Sequence, residues 1–419
     1  MFHETGFFMK KLAVRIHNMN KRQLHFSFLE FIFWGAFAAY YPFVVVILQE
    51  RGFSNTVIGT IMAINSLIVV FAQPFWGMVS DRIRSVKKVF IFNLLVAIIL
   101  VQAVPYISLT VFVGLILALV TFFESPLSPL LDSWVVRGIK AEGNISYGSI
   151  RLWGSAGYSI IVYICGRLIN KFSTANVLFP FFLIMGCLAA FACTGIKADS
   201  LVPDGGARRL YIGRLFKNHQ YVYYLIFAVI LAIPHRSAFI FLPNLMKSVG
   251  GTDGDLGLIN AVMAISEIPA FLYSRVLFRR YKPVNVILFS SIFYILRQVL
   301  YLIASQPIHV FLVQLLQGPS FALFVNGSVY YIDELAPEEL KATAQTFATS
   351  MYFGLSGIVG SYGGGWVIDN YGLKNMYWIG FCISLVISVL FLLSVNIGRT
   401  SKYGNVDNGK MEICKCINN

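Results

Sequence analysis

Charge is scarce in this chain. Only 12% of its 419 residues are Asp, Glu, Lys or Arg, whereas 57% are hydrophobic. A soluble domain carries about 25% charged residues, so a water-soluble globular protein of this length is excluded. Acidic residues are the scarcer sign, 19 against 33 basic ones, which leaves a net charge of +14. A nucleic-acid binder would gather such an excess on one polar face. Here the basic residues are scattered between long apolar runs, so no nucleic-acid partner is expected. No nucleotide-cradling glycine loop, no H-E-x-x-H metal helix and no nucleophile–base set can be found, so neither enzyme activity nor a cofactor or metal is expected. Cysteine is also sparse. Cys165, Cys187, Cys193 and Cys382 fall in apolar runs, where a thiol acts as a small hydrophobe, and Cys414 and Cys416 form a weak C-x-C pair near the end. The first twenty residues lack the apolar core of a signal peptide.

What the chain does have is apolar length. A membrane span needs about 20 mainly apolar residues. Twelve such runs are predicted, near 26–48, 56–79, 89–106, 108–133, 147–168, 175–195, 220–246, 256–278, 284–304, 306–331, 343–367 and 373–395. With both termini placed in the cytoplasm, 25 Lys/Arg fall on the cytoplasmic side and 5 outside, with Arg151, Arg236 and Arg297 inside spans. That asymmetry obeys the positive-inside rule and fixes the orientation. The longest polar stretch follows the sixth run, which divides the chain into a tail at 1–25, a bundle at 26–195, a linker at 196–219, a second bundle at 220–395 and a tail at 396–419.

Ionisable residues inside spans carry the functional information. Each costs roughly 2.5–3.5 kcal/mol at a helix centre and needs a partner, a wet cavity or a task. Asp132, Arg151, Glu267 and Arg297 stand out. An arginine offers five donors in a rigid fork, suited to vicinal hydroxyls or a carboxylate, and Asp132 can neutralise Arg151 in the unloaded state. Tyr158 supplies an apolar platform for a sugar face or an aryl ring, and Trp153 lies in the same run. Glu267, with Arg297 near it, is the best proton carrier, and Glu124 is a secondary candidate. His235 follows Pro234 midway along the seventh run, where the proline permits a bend and the imidazole can bond solute, titrate or simply pack. Glu30, nearer the cytoplasmic end of the first run, is expected to be interfacial. The glycines from Gly354 to Gly365 suit close helix contact without chemistry.

Gly77-x-x-x-Asp81-Arg82-x-Arg84 with Lys87-Lys88, after the second run, resembles the loop signature of the major facilitator superfamily. The resemblance implies a cytoplasmic gate at Gly77, Asp81, Arg82 and Arg84, built on a carboxylate–arginine contact. Ala39-Tyr40-Tyr41-Pro42-Phe43, the run from Ser125 to Asp132, and Tyr147-Gly148-Ser149-Ile150-Arg151 are similar to the lactose-permease and phenylpropionate-permease branch. That likeness implies an all-α membrane protein with 12 transmembrane helices in two six-helix bundles, the major facilitator fold, with both termini cytoplasmic. It implies a sugar site at Asp132, Arg151 and Tyr158, with Glu267 and Arg297 as second-half counterparts. Gln314, Gln317 and Ser320 stand where that branch carries lysine, histidine and glutamate, so proton coupling is not secured by the likeness. The expected protein is a monomeric, multi-pass carrier of the cell membrane. By alternating access it would import a small solute with a proton, a sugar ahead of a nucleoside or aryl acid. An efflux antiporter and a non-transporting receptor are the alternatives.

Overall fold

A computed structural model describes residues 21–140, 147–196, 212–337 and 340–417. The N-terminal tail up to residue 20 and most of the linker, residues 197–211, lie outside the described residues, as do the side chains of Cys414 and Cys416. Every described element is helical. In lipid each backbone N–H and C=O must be satisfied within its own segment, and uninterrupted apolar sequence therefore folds as helix.

Among the described residues, ten helices are long and apolar enough to cross a membrane. They are α1 (Lys21–Glu50), α2 (Asn55–Ile83), α3 (Val86–Tyr106), α4 (Thr110–Val136), α5 (Tyr147–Ile169, apolar from Ile150), α6 (Thr174–Thr194), α7 (His219–Ile240), then, after α8, α9 (Pro283–Ile303) and α10 (Pro307–Leu335), and finally α12 (Leu373–Ile417, apolar to Asn396). The other two expected spans coincide with helices of different composition. α8 (Asp253–Arg280) carries acidic residues in its first turn, basic residues in its last and Glu267 between. α11 (341–371) is rich in serine, threonine and glycine. It comprises Lys341–Ser350, a π turn Met351–Leu355 and Ser356–Tyr371. Large apolar side chains such as Phe71, Ile99, Val111 and Phe191 are exposed. An apolar surface of this extent has lipid as its solvent.

Proline punctuates the helices. Pro42 opens a 3₁₀ turn (Tyr41–Phe43) within α1, whereas Pro74, Pro180, Pro234 and Pro269 sit inside continuous helices. α4 is interrupted between Glu124 and Leu127. Glu124 and Asp132 therefore stand on separate helical segments.

The chain forms two compact units, one of residues up to Ile47 with Ile68–Gly206, the other of Leu48–Leu67 with Ala207 onward. In the first, α1 packs on α5 and α6. Phe26 meets Trp134 edge-on at 5.6 Å, and Phe33 lies 5.7 Å from Phe90. In the second, α7 packs on α12 and on the Ser356–Tyr371 segment. Tyr221, Tyr224, Phe227, Tyr294, Phe324 and Tyr352 belong to its buried core, and Phe227 stacks on Phe391 at 4.1 Å.

Candidate functional site

Within the first unit, α1 and α5 approach closely because α5 presents glycines. A Cβ at Gly157 would collide with the carbonyl oxygen of Phe31. One turn earlier, a Cβ at Gly154 would lie 2.5 Å from Trp34 Cδ1, 2.7 Å from Arg151 Nη1 and 2.8 Å from Glu30 Oε2. Glu30, Trp34 and Arg151 therefore meet over one glycine. The Arg151 guanidinium stands 4.2 Å from the centroid of the Trp34 ring, within cation–π range. Asp132, half-buried on α4, is an electrostatic neighbour of Glu30. Tyr158 and Trp153 are half-buried on α5. The aromatic face beside Arg151 is thus Trp34, which the sequence reading passed over. Glu30 differs from its expected interfacial role, because it is fully buried. Side chains of α5 and α4 enclose it within the unit.

The second unit holds a different cluster. Arg297, 4% exposed on α9, is enclosed by neutral acceptors. Its Nη1 donates to Gln317 Oε1 and, at 3.2 Å, to Ser320 Oγ; its Nη2 donates to Tyr301 OH at 2.8 Å and to Gln314 Oε1 at 3.0 Å. Gln317 then passes the contact on, its Nε2 donating to Glu267 Oε1 at 3.1 Å. The expected neighbourhood of Glu267 and Arg297 is present with an amide bridging them. Local backbone makes this possible. Gly318 lets α10 approach α8 so closely that a Cβ there would strike the carbonyl oxygen of Ser266, and Ser266 Oγ donates to Gln314 O at 3.3 Å. The same stretch, Gly318–Ala322, is a π turn containing Pro319. Such turns recur at functional sites because they re-aim side chains. His235 is buried between Phe321, stacked at 5.5 Å, and Tyr294, edge-on at 5.1 Å. Tyr294 and Tyr352 share a hydrogen bond between their hydroxyls at 2.9 Å. The imidazole thus has aromatic walls on two sides.

The remaining candidates do not join these clusters. Glu124 is half-buried at the end of the first α4 segment, and no charged neighbour acts on it. Asp81, Arg82 and Arg84 are exposed, and Asp81 forms no ion pair among the described residues. Exposed charges gain little from pairing, and no burial forces these together. Instead, this loop is shaped by backbone. Arg84 takes φ 56°, its N–H bonding Asp81 O at 3.2 Å while the Ser85 N–H bonds Ser80 O at 3.3 Å. This closes α2 in the manner of a Schellman cap. Ser85 then caps α3.

A third polar group lies in the second unit and escaped the sequence reading. Asp369 accepts hydrogen bonds from the backbone and side chain of both Asn55 and Thr56, at 2.6–3.2 Å. Asn244 bridges Asn55 to Gln49, and Lys247 joins Gln49 to Asp253. The chain from Gln49 to Thr56 is thereby fastened to helices far along the sequence.

Buried ionisable clusters held inside apolar helical units are the construction of a solute carrier. The chain belongs to the MFS_1 like family, whose pattern matches residues 23–379, and is a major facilitator transporter rather than an enzyme. The maltose permease of Geobacillus stearothermophilus is 29% identical over 381 residues, covering 89% of this chain and 94% of the relative. An uncharacterized transporter of Bacillus subtilis, YwbF, is 25% identical over 375 residues, 88% and 93% of the two chains. Among solved structures, the nucleoside transporter NupG superposes with a TM-score of 0.78 at 17% identity, over 89% of this chain and 99% of that one. At that identity the likeness establishes the fold alone.

Proposed function

We propose that this protein is a monomeric carrier of the cell membrane that takes up a sugar or short oligosaccharide together with a proton by alternating access. It would cross the membrane twelve times with both termini cytoplasmic, in bundles at 26–195 and 220–395 joined by the linker at 196–219. One observation carries the reading: the Arg151 guanidinium stands over the Trp34 ring beside two carboxylates, within a glycine-lined helix crossing. A guanidinium offers its donor fork to vicinal hydroxyls, an indole face covers the apolar side of a pyranose, and a carboxylate accepts from further hydroxyls. Asp132, Arg151, Trp153 and Tyr158 bind solute in the first unit. In the second, Glu267 and His235 bind it, and Glu267 exchanges the proton beside Arg297 and Gln317. The maltose permease relative, aligned over nearly its whole length, favours a glucoside.

A nucleoside is the second reading, favoured by the putative nucleoside transporter YegT of Escherichia coli, 20% identical over 399 residues. Its ribose diol and flat base meet the same chemical demands. Uptake of radiolabelled maltose into proteoliposomes, with uridine and phenylpropionate as competitors, decides between them. Arg151→Ala is expected to lose about 2–4 kcal/mol of solute binding, enough to abolish measurable uptake. Undiminished uptake by that variant would remove the site assignment.

A further inference from the structure

Glu30 has no proton role in the reading above, yet it is the least exposed acid among the described residues of the first unit. Its side chain has no solvent exposure, and neither carboxylate oxygen accepts a hydrogen bond among the described residues. An ionised carboxylate in that state gives up its hydration without replacement. The charges around it can be enumerated element by element. α5 contributes Arg151, whose Nη1 and Glu30 Oε2 both crowd the space above Gly154. α4 contributes Asp132. α6, packed on the other flank of α1, contains no acidic, basic or histidine side chain from Thr174 to Thr194. α3 brings Lys87 and Lys88 only at its first turn, where Lys87 donates to Ile196 O. On α1 itself, Arg22 and His25 lie more than one turn earlier. Among the described residues, the group thus holds two carboxylates and one guanidinium. It is electrically neutral only when one of the two acids carries a proton. Asp132 is half-buried, whereas Glu30 is fully buried, with Arg151 and Trp34 as its favourable neighbours.

We propose that Glu30 is a proton-exchanging acid of this transporter, linked to solute through Arg151; the proposal rests on Arg151 being a solute ligand. With solute held by Arg151 and Asp132, these two charges balance each other and Glu30 keeps its proton as a neutral acid. When solute leaves, Arg151 is free to pair with Glu30, which then releases its proton to water and becomes the counter-ion. Solute binding and protonation therefore favour each other, as reciprocal linkage requires of a symporter. Trp34, one turn from Glu30, holds the guanidinium close to both acids.

Two measurements on the full-length protein separate this proposal from the function it builds on. Infrared difference spectra across the neutral pH range report protonated carboxyls directly by their C=O stretch. A band that titrates in the wild type is expected to vanish in Glu30→Gln, to move in frequency in Glu30→Asp, and to persist in Glu267→Gln. Its persistence in Glu30→Gln, or its loss in Glu267→Gln, overturns the assignment. Should Glu30→Gln fail to fold, the Glu30→Asp spectrum decides, because an unmoved band there is equally fatal. In proteoliposomes, an inward gradient of one pH unit sustains about tenfold accumulation with one coupled proton. Glu30→Gln is expected to exchange labelled for unlabelled maltose while losing that accumulation, and retained accumulation overturns the proposal. If the wild type does not move maltose, the sugar reading fails, and the infrared band still decides Glu30 by itself.

Discussion

Asp369 offers the most quantitative test of how the second unit holds its fragment of early chain. Its carboxylate receives the Asn55 N–H at 3.2 Å, the Thr56 N–H at 2.6 Å, the Asn55 amide at 2.8 Å and the Thr56 hydroxyl at 2.6 Å. Asn55 and Thr56 begin α2, so the two backbone donors are among the four that every helix leaves unpaired at its start. A carboxylate there is favoured by hydrogen bonding and by the helix dipole. Removing a capping acceptor costs about 0.5–2 kcal/mol. The side-chain bonds add to this, although exposure and salt screening keep charge-assisted contacts near the low end. Asp369→Ala should therefore weaken the attachment by about 1–2 kcal/mol, a factor of roughly 5–30 in the population of the detached state. Hydrogen exchange measured by mass spectrometry on peptides covering residues 51–67 reads that population, and exchange there should quicken by the same factor. Partial burial alone would raise the Asp369 pKa, but the hydrogen bonds from Thr56 and Asn55 outweigh it and hold the carboxyl below the usual carboxylate range. The sign follows from linkage: a group with a lowered folded pKa stabilises above its unfolded value of about 3.9 and loses that contribution as pH falls further. Acidification below about pH 4 should thus loosen the wild type toward the variant. Exchange in Asp369→Ala that matches the wild type at neutral pH would refute the reasoning.

Other substitutions probe the remaining features. Gln317→Ala removes the acceptor of a buried guanidinium and the donor to Glu267 together, and an unsatisfied charged group of this kind costs about 1–3 kcal/mol. Chemical or thermal unfolding in detergent should show that loss, and an unchanged midpoint would mean that water replaces the amide. Arg84→Gly relieves a side chain at φ 56°, where an L-residue is strained by roughly 1–2 kcal/mol, partly offset by glycine's added freedom in the unfolded chain. A small rise in the unfolding midpoint is expected, and a fall would show that the arginine side chain matters more than its backbone.

What was legible in the sequence is whatever hydropathy and helical spacing encode. Ten of the twelve expected runs are apolar helices, and Gln314, Gln317 and Ser320, which the family resemblance singles out, are acceptors for Arg297. Tyr301 could have been added by helical spacing, four residues after Arg297. α8 and α11 fall outside the apolar set because their sequences trade hydrophobicity for carboxylates, arginines and glycines. The burial of Glu30 was not legible because an apolar run does not tell which face of the helix turns inward. The Asp369 contacts join residues more than 300 positions apart, and no local pattern announces them.

The π turn at Gly318–Ala322 has a mechanical consequence. A π turn accommodates one residue more than the α-helical path would, and each α-helical residue subtends about 100° around the axis. Were this turn to revert to α geometry, the stretch preceding it would rotate by about that angle relative to the stretch following it. Gln314 and Gln317 lie before the turn and Ser320 within it, so a single change of winding would strip Arg297 of both amides at once and break the bridge to Glu267. The helix thus has a discrete way to uncover a fixed positive charge, by rewinding in place rather than by unfolding.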